Sequence, residues 1–266
     1  MNKLYGILIL TFITSSFAKA ELSAKEIMIK NEDARKVQEF ESRSKLGTGS
    51  PSEKPKIKDF TLWRKVQQDG IHNSTLTRFH APAEVRDEGI LIIENPSGKN
   101  DVLLYLPNFK KTRRVESQQQ SGSFMGSVFS YSDIATPHVE DYEYKNLGTE
   151  KCSGDPKINC YKIESTPANE DVKERTKYSR TIAWVRSDNF MIESAEYYQL
   201  DGKLWKKLTA SEIKMVDTKN HKWLAHFMSI TNQLTQEFTE LRFSDVKVNS
   251  GISNAIFTQQ NLEKVK

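Results

Sequence analysis

The sequence predicts a mainly β (α+β) protein built around one large curved antiparallel sheet or barrel, and three observations carry that reading. From residue 60 onward, short runs rich in Val, Ile, Thr, Tyr, Phe and Trp follow one another with no long helical period between them. Turn signals separate the runs: Gln68-Asp69-Gly70, Asn95-Pro96-Ser97-Gly98, Ser187-Asp188-Asn189 and Asp201-Gly202. Only 37% of the 266 residues are hydrophobic, too few to cover every strand on both sides, so one face of the sheet meets an interior and the other meets water.

In chain order, the first element is a secretory signal peptide over residues 1–20. Lys3 precedes the apolar stretch 4–17, and Ala18-Lys19-Ala20 gives a small-x-small ending, which places cleavage before Glu21. The stretch is interrupted by Thr11, Thr14, Ser15 and Ser16 and falls short of the roughly 20 apolar residues a spanning helix needs. No Cys follows the cleavage site to accept a lipid, so the expected product is a soluble exported protein without a lipid anchor. Loss of Lys3 and Lys19 lowers the formal net charge from +4 to +2, which gives no ground for nucleic-acid binding.

Ser23-Ala24-Lys25-Glu26 is a capping box, and Ala24, Ile27, Met28, Ala34, Val37 and Phe40 recur at helical spacing, so a helix is expected over 24–41. Gly, Ser, Pro and Lys without a period mark 47–58 as a linker. Strands are expected at 60–67, 74–80, 89–94, 102–106, 111–115, 142–147, 160–165, 178–185, 191–199, 204–214, 222–231 and 237–246, and a last helix at 257–264. The expected organisation after the signal peptide is a single domain over 21–266, with 21–57 as helix and linker and 58–266 as the barrel. The two cysteines, Cys152 and Cys160, flank a Gly-Asp-Pro turn; in an oxidising compartment a disulfide is expected, the competing reading being a metal or redox pair.

Chemistry is thinly represented. None of His72, His80, His138, His221 and His226 forms a zinc-peptidase pattern, and the sequence carries neither a Gly-x-Ser-x-Gly elbow nor a phosphate-binding Gly-rich loop. The expectation is a protein that is not an enzyme, with no catalytic residues, no metal and no cofactor. The densest basic run is Lys110-Lys111-Thr112-Arg113-Arg114. It reads either as a solvated strand edge or as a docking patch, formed by Lys110, Lys111, Arg113 and Arg114, for an acidic partner or anionic lipid headgroups.

Three linked segments are more specific. Arg78-Phe79-x-x-Pro82-Ala83 in the block 76–93, Tyr105-Leu106-Pro107 in 101–115, and Ser123-Phe124-Met125-Gly126-Ser127 in 122–134 stand in order, followed by Ile182-Ala183-Trp184-Val185, Glu196-Tyr197-Tyr198 and Asp201-Gly202-Lys203-Leu204. Over about residues 58–262 the chain resembles the outer-membrane lipoprotein-sorting protein family, relatives of the periplasmic lipoprotein carrier (LolA-like). It departs from that pattern at Val128 and Ser132, where acidic residues are expected. The resemblance implies an unclosed antiparallel β-barrel with a concave apolar face covered by helices. It also implies a carrier of acyl chains or another hydrophobic molecule, working beside a resistance-nodulation-division type exporter. The alternative is a periplasmic sensor or adaptor that uses the same roll to bind a protein.

Bulky residues on alternating strands, Phe60, Leu62, Phe79, Ile92, Leu104 and Trp184, are the candidates for lining the cavity, each uncertain by one register. The connection around Ser123-Phe124-Met125-Gly126-Ser127 carries Phe124, Met125, Phe129 and Tyr131, too apolar a set for a solvated loop. It is either a flap over a lipid-filled opening or a plug that completes the core.

Overall fold

The computed structural model describes residues 21–96 and 99–264; the signal-peptide reading of residues 1–20 lies outside them. Helix α1 (Ala24–Arg35) opens on the expected capping box, with the Ser23 hydroxyl accepting from the Glu26 amide and the Glu26 carboxylate accepting from the Ser23 amide. It ends at Arg35, six residues before the expected boundary at 41. Val37 and Phe40 sit at helical spacing, yet Phe40 already belongs to strand β1 (Glu39–Gly49). There Phe40, Ser42, Ser44 and Leu46 are buried at every second position, so a period of two replaces the helical one. The expected linker shrinks to the turn 50–55 between β1 and β2 (Lys56–Val66).

The chain continues through β3 (Asn73–Ala81), β4 (Gly89–Ile93), β5 (Asp101–Leu106), β6 (Lys111–Arg114), α2 (Tyr131–Ile134), β7 (Tyr142–Lys151), β8 (Asn159–Pro167), α3 (Glu170–Thr176), β9 (Tyr178–Arg186), β10 (Ile192–Gln199), β11 (Leu204–Asp217), β12 (Lys222–Asn232), β13 (Phe238–Val248) and α4 (Gln259–Leu262). Every run expected to be a strand is one. The short helix α3 was not foreseen, although Asn169 followed by two acids is a usable start signal, and its side-chain oxygen accepts from the Val172 amide.

All 13 strands form one antiparallel sheet in the order β6-β5-β4-β3-β2-β1-β13-β12-β11-β10-β9-β8-β7. Its ends, β6 and β7, do not pair, so the barrel is unclosed. Strand β1 closes the gap between β2 and β13, which makes the region expected to be helix and linker part of the sheet.

The inward-facing residues form the main core. Phe60 and Leu62 of β2, Phe79 of β3, Ile90 and Ile92 of β4, and Leu104 of β5 meet Leu241 and Phe243 of β13 and Ile163 of β8. Strand β4 is buried on both faces. Its outward Leu91 joins Leu76 and Tyr105 beneath the C-terminal Ile252, Phe257 and Leu262. The approach is close: a Cβ on Gly89 would stand 2.7 Å from Leu262 Cδ1, so a larger residue there would push the Leu262 side chain aside.

Candidate functional site

Five of the six residues expected to line the interior are brought together on the concave face: Phe60, Leu62, Phe79, Ile92 and Leu104 belong to one buried cluster. The Phe60 and Phe79 rings are 5.3 Å apart between centroids. Trp184 is not among them. Its neighbours Ala183 and Val185 face the core, so Trp184 points to the opposite face, where its indole N–H donates to Glu150 and Lys162 lies over the ring. This is the one-residue register slip that turns a side chain through the sheet.

The concave face is covered from within. Helix α1 inserts Ile27, which is fully buried, and Ala24. The connection from β6 to β7 inserts Val115, Phe124, Phe129, Tyr131 and Ala135 into the same cluster, while Met125 and Val128 pack against it. Phe124 stands 6.5 Å from the Phe79 ring and 5.8 Å, edge to face, from Tyr131. A tight turn presents this tip. The Phe124 amide donates to the Phe129 carbonyl at 2.8 Å, Ser123 bridges Ser130, and Met125 and Gly126 take positive φ at the bend. Val128 stands where an acid was expected, and its backbone N–H donates to the buried Thr239 hydroxyl at 2.9 Å. Ser132, the other such position, is buried, with its hydroxyl 2.9 Å from that of Ser130.

The volume expected to be a cavity is therefore occupied by the chain itself. Among the openings that indent the described residues, one of about 30 Å³ is lined by Glu32, Arg35, Phe40, Arg64, Asn73 and Thr136, and another, of about 300 Å³, lies against Lys65, Gln67, Asp69 and Phe257. Neither touches Phe60, Leu62, Phe79, Ile92 or Leu104.

Polar groups fasten the cover at its ends. Glu94 continues the inward face of β4 after Ile90 and Ile92, and its carboxylate accepts from the amides of Asn73 and Thr136, each at 2.7 Å. His138 lies between two acids, with Nε2 3.3 Å from Glu94 and Nδ1 3.8 Å from Glu32 of α1. Burial alone would push the His138 imidazole down, but the two carboxylates outweigh it and raise it to about 9. Burial likewise opposes ionisation of Glu94, yet His138, Arg64 and the two amides hold it at about 2. On the other side, Asp133 of α2 receives the Tyr178 hydroxyl at 2.8 Å and the Lys206 ammonium at 3.1 Å. Burial first, then Asp133, pushes the Tyr178 phenol well above its usual range. Near β6, Gln120 donates to the Asn100 carbonyl at 3.1 Å.

None of Glu32, Glu94, Asp133 and Lys206 was singled out from the sequence, and His138 was read as one of several isolated histidines. One signal was available for Glu94: a carboxylate in step with the apolar alternation of a buried strand needs a cation and donors waiting for it.

The cysteines are joined in a Cys152–Cys160 disulfide that closes the turn between β7 and β8, as expected, so neither thiol is free to ligate a metal. The basic run lies on the edge of the sheet. Lys110 sits in the β5–β6 turn, Lys111 and Arg113 are exposed on β6, and Arg114 pairs with Asp101.

A family model with the description "-like: Uncharacterized protein" matches residues 72–264. No curated protein matches the chain. Among solved structures, the putative outer membrane lipoprotein-sorting protein domain from Vibrio parahaemolyticus is 25% identical, with a TM-score of 0.82 over 91% of this chain and 98% of that one. A DUF1329 family protein from Desulfovibrio piger is 26% identical, with a TM-score of 0.82 over 90% of this chain and 97% of that one. A LolA superfamily protein from Nitrosomonas europaea shares the fold at 21% identity, with a TM-score of 0.69 over 90% of this chain and 99% of that one. The chain thus belongs to the family whose model spans residues 72–264, and it shares its fold with the lipoprotein-sorting domain from Vibrio parahaemolyticus and the LolA superfamily protein from Nitrosomonas europaea.

Proposed function

We propose that the protein is a periplasmic, non-enzymatic carrier that takes a lipid, a lipoprotein acyl chain or another hydrophobic molecule onto the concave face of its barrel. The observation that carries this reading is the way the cover is held. Among the described residues, the hydrogen bond from the tip 123–130 to the sheet is Val128 N–H to Thr239, whereas both ends of the connection are fixed by Gln120, Asp133 and Thr136. The tip can lift while its ends stay in place, exposing Phe60, Leu62 and Phe79 to a guest.

Magnitudes favour exchange of one apolar filling for another. Re-exposing Phe124 and Phe129 costs about 1.5–3 kcal/mol each, and each methylene of an incoming chain returns about 0.8 kcal/mol. A long acyl chain therefore offsets the displaced rings without any ionic contact. The flap and plug readings become two states of one segment: a plug when the carrier is empty and a flap when it is loaded.

Export to an oxidising compartment agrees with the disulfide, and the lipoprotein-sorting name of the Vibrio relative agrees with an acyl cargo. An envelope exporter of the resistance-nodulation-division type is the proposed donor or acceptor. The test is displacement of a fluorescent fatty acid from the folded, delipidated protein. Saturable binding is expected; a protein that takes up no long-chain probe, whatever its headgroup, does not carry acyl cargo.

A further inference from the structure

In an antiparallel meander, alternate turns fall on opposite rims. The β1–β2, β3–β4, β5–β6, β8–β9, β10–β11 and β12–β13 connections therefore share one rim of this barrel, and β2–β3, β4–β5, β7–β8, β9–β10 and β11–β12 share the other. The first rim carries an unusual set of side chains. Phe109, at the β5–β6 turn, is 70% exposed, the highest value among the exposed large hydrophobic residues described. Leu234 in the β12–β13 turn is 55% exposed, Leu200 after β10 is 50% exposed, and Ile57 at the start of β2 is 47% exposed. Four separate turns or strand ends thus each offer one large apolar side chain to solvent at the same end of the molecule.

Cations stand between them. Lys54 and Lys56 precede Ile57, and Lys110 and Lys111 follow Phe109; all four are exposed, and none forms an ion pair among the described residues. On the two hairpins that carry these lysines the sole acid is Glu53; the other connections of this rim add Glu84, Asp87, Glu88, Asp201, Glu237 and, on α3, Glu170, Asp171 and Glu174, of which Asp201, Glu170 and Glu174 are paired with Lys203, Lys173 and Lys177. Lys110 adopts a left-handed conformation (φ 47°) that closes the turn behind Phe109, after Pro107 has set its first residue. The hairpin is thus a short, shaped projection on the sheet's free edge. Edge protection explains Lys111 on β6, but neither an exposed Phe nor lysines on a second hairpin.

We propose that this rim docks on an anionic phospholipid surface. Phe109, Leu234, Leu200 and Ile57 enter the headgroup–acyl boundary, and Lys54, Lys56, Lys110 and Lys111 meet lipid phosphates. Apolar side chains interleaved with unpaired lysines are what an interfacial contact uses, because burial and electrostatic attraction add at the same plane. An acidic protein would be served by the lysines but would leave four separated apolar tips without a common partner. The contact stands apart from the carrier reading, since it involves the rim and not the concave face.

The test is co-sedimentation of the full chain with phosphatidylcholine vesicles, with and without phosphatidylglycerol. Binding is expected with phosphatidylglycerol, weakened about tenfold in Lys110→Glu, Lys111→Glu, and weakened also in Phe109→Ser. A control carrying Ile71→Ser and Lys157→Glu, both on the opposite rim, should bind as the parent does. In Phe109→Trp, the tryptophan emission should move to the blue when anionic vesicles are added. Absence of binding to anionic vesicles overturns the proposal, even if the lysines capture an acidic protein. So does equal binding by the rim variants and the parent, or an unmoved emission in Phe109→Trp. Fatty-acid displacement measured on the same variants keeps the two ideas apart: loss of probe uptake with intact vesicle binding removes the carrier function alone.

Discussion

The Lys206 ammonium of β11 reaches the Asp133 carboxylate of α2 at 3.1 Å, with the Tyr178 hydroxyl 2.9 Å from the same nitrogen. A lysine only 3% exposed is thereby satisfied by a residue of the connection that covers the concave face. The pair locks the cover to the side of the sheet remote from its own flanking strand β6.

Removing one partner leaves a buried charge without compensation, which costs more than the pair contributes. Asp133→Ala should destabilise by about 3 kcal/mol, whereas Asp133→Ala with Lys206→Met should recover a large part of that loss. Denaturant midpoints of the two single variants and the double variant measure the coupling. Additive losses would show that the two groups do not depend on each other.

His138 gives a pH signature. Its folded-state value, about 9, lies above the ordinary 6.5, so its ion pairs with Glu32 and Glu94 stabilise fully below pH 6.5 and are lost as pH rises through 9. With solvent still reaching part of the ring, the contribution is about 2 kcal/mol. Glu94, lowered to about 2, adds stability that is present above 4.5 and lost as pH falls through 2. The unfolding midpoint should therefore drop between neutral and strongly alkaline pH, and His138→Gln should flatten that limb. Parallel pH profiles for parent and variant would exclude the clamp.

Phe124 is 3% exposed, so replacing it is a core deletion. Phe124→Ser with Met125→Ser should cost about 3 kcal/mol of stability. The same change should tighten binding of a fluorescent fatty acid, because the guest no longer displaces the ring. Stability and probe affinity are measured on one preparation. Lower stability with unchanged or weaker binding would mean that the tip and the ligand do not compete.

The Cys152–Cys160 bond closes a short local turn, so its loss should lower stability by about 2–3 kcal/mol and leave the fold intact. Thiol titration of the denatured, unreduced protein should find no reactive cysteine, and Cys152→Ser should remain folded with a lower midpoint. Two reactive thiols per chain would contradict the bond.

Strand positions, the antiparallel order of neighbours and the start of α1 were legible in the sequence, because each is set by local chemistry: alternation, turn residues and a capping box. The disulfide was legible too, since its partners are close along the chain. Strand β1 was missed because Val37 and Phe40 happen to extend the spacing of α1. The inward alternation of Phe40, Ser42, Ser44 and Leu46 gains its meaning only when β2 and β13 flank it. Trp184 was misplaced for a related reason: bulk says that a residue is buried somewhere, and the register with β8 and β10 says on which face.

The sequence by itself determined that a half-apolar sheet must roll around its apolar face, because that face has to leave water. What fills the roll was decided by tertiary structure. Phe124 and Tyr131 lie far along the chain from Ile27, and nothing local dictates that all three enter the same interior. The Glu32–His138–Glu94 and Asp133–Lys206–Tyr178 clusters have the same origin. Each joins segments distant in sequence, and an ionisable group becomes a fastener only when burial removes its water and a partner from another element replaces it.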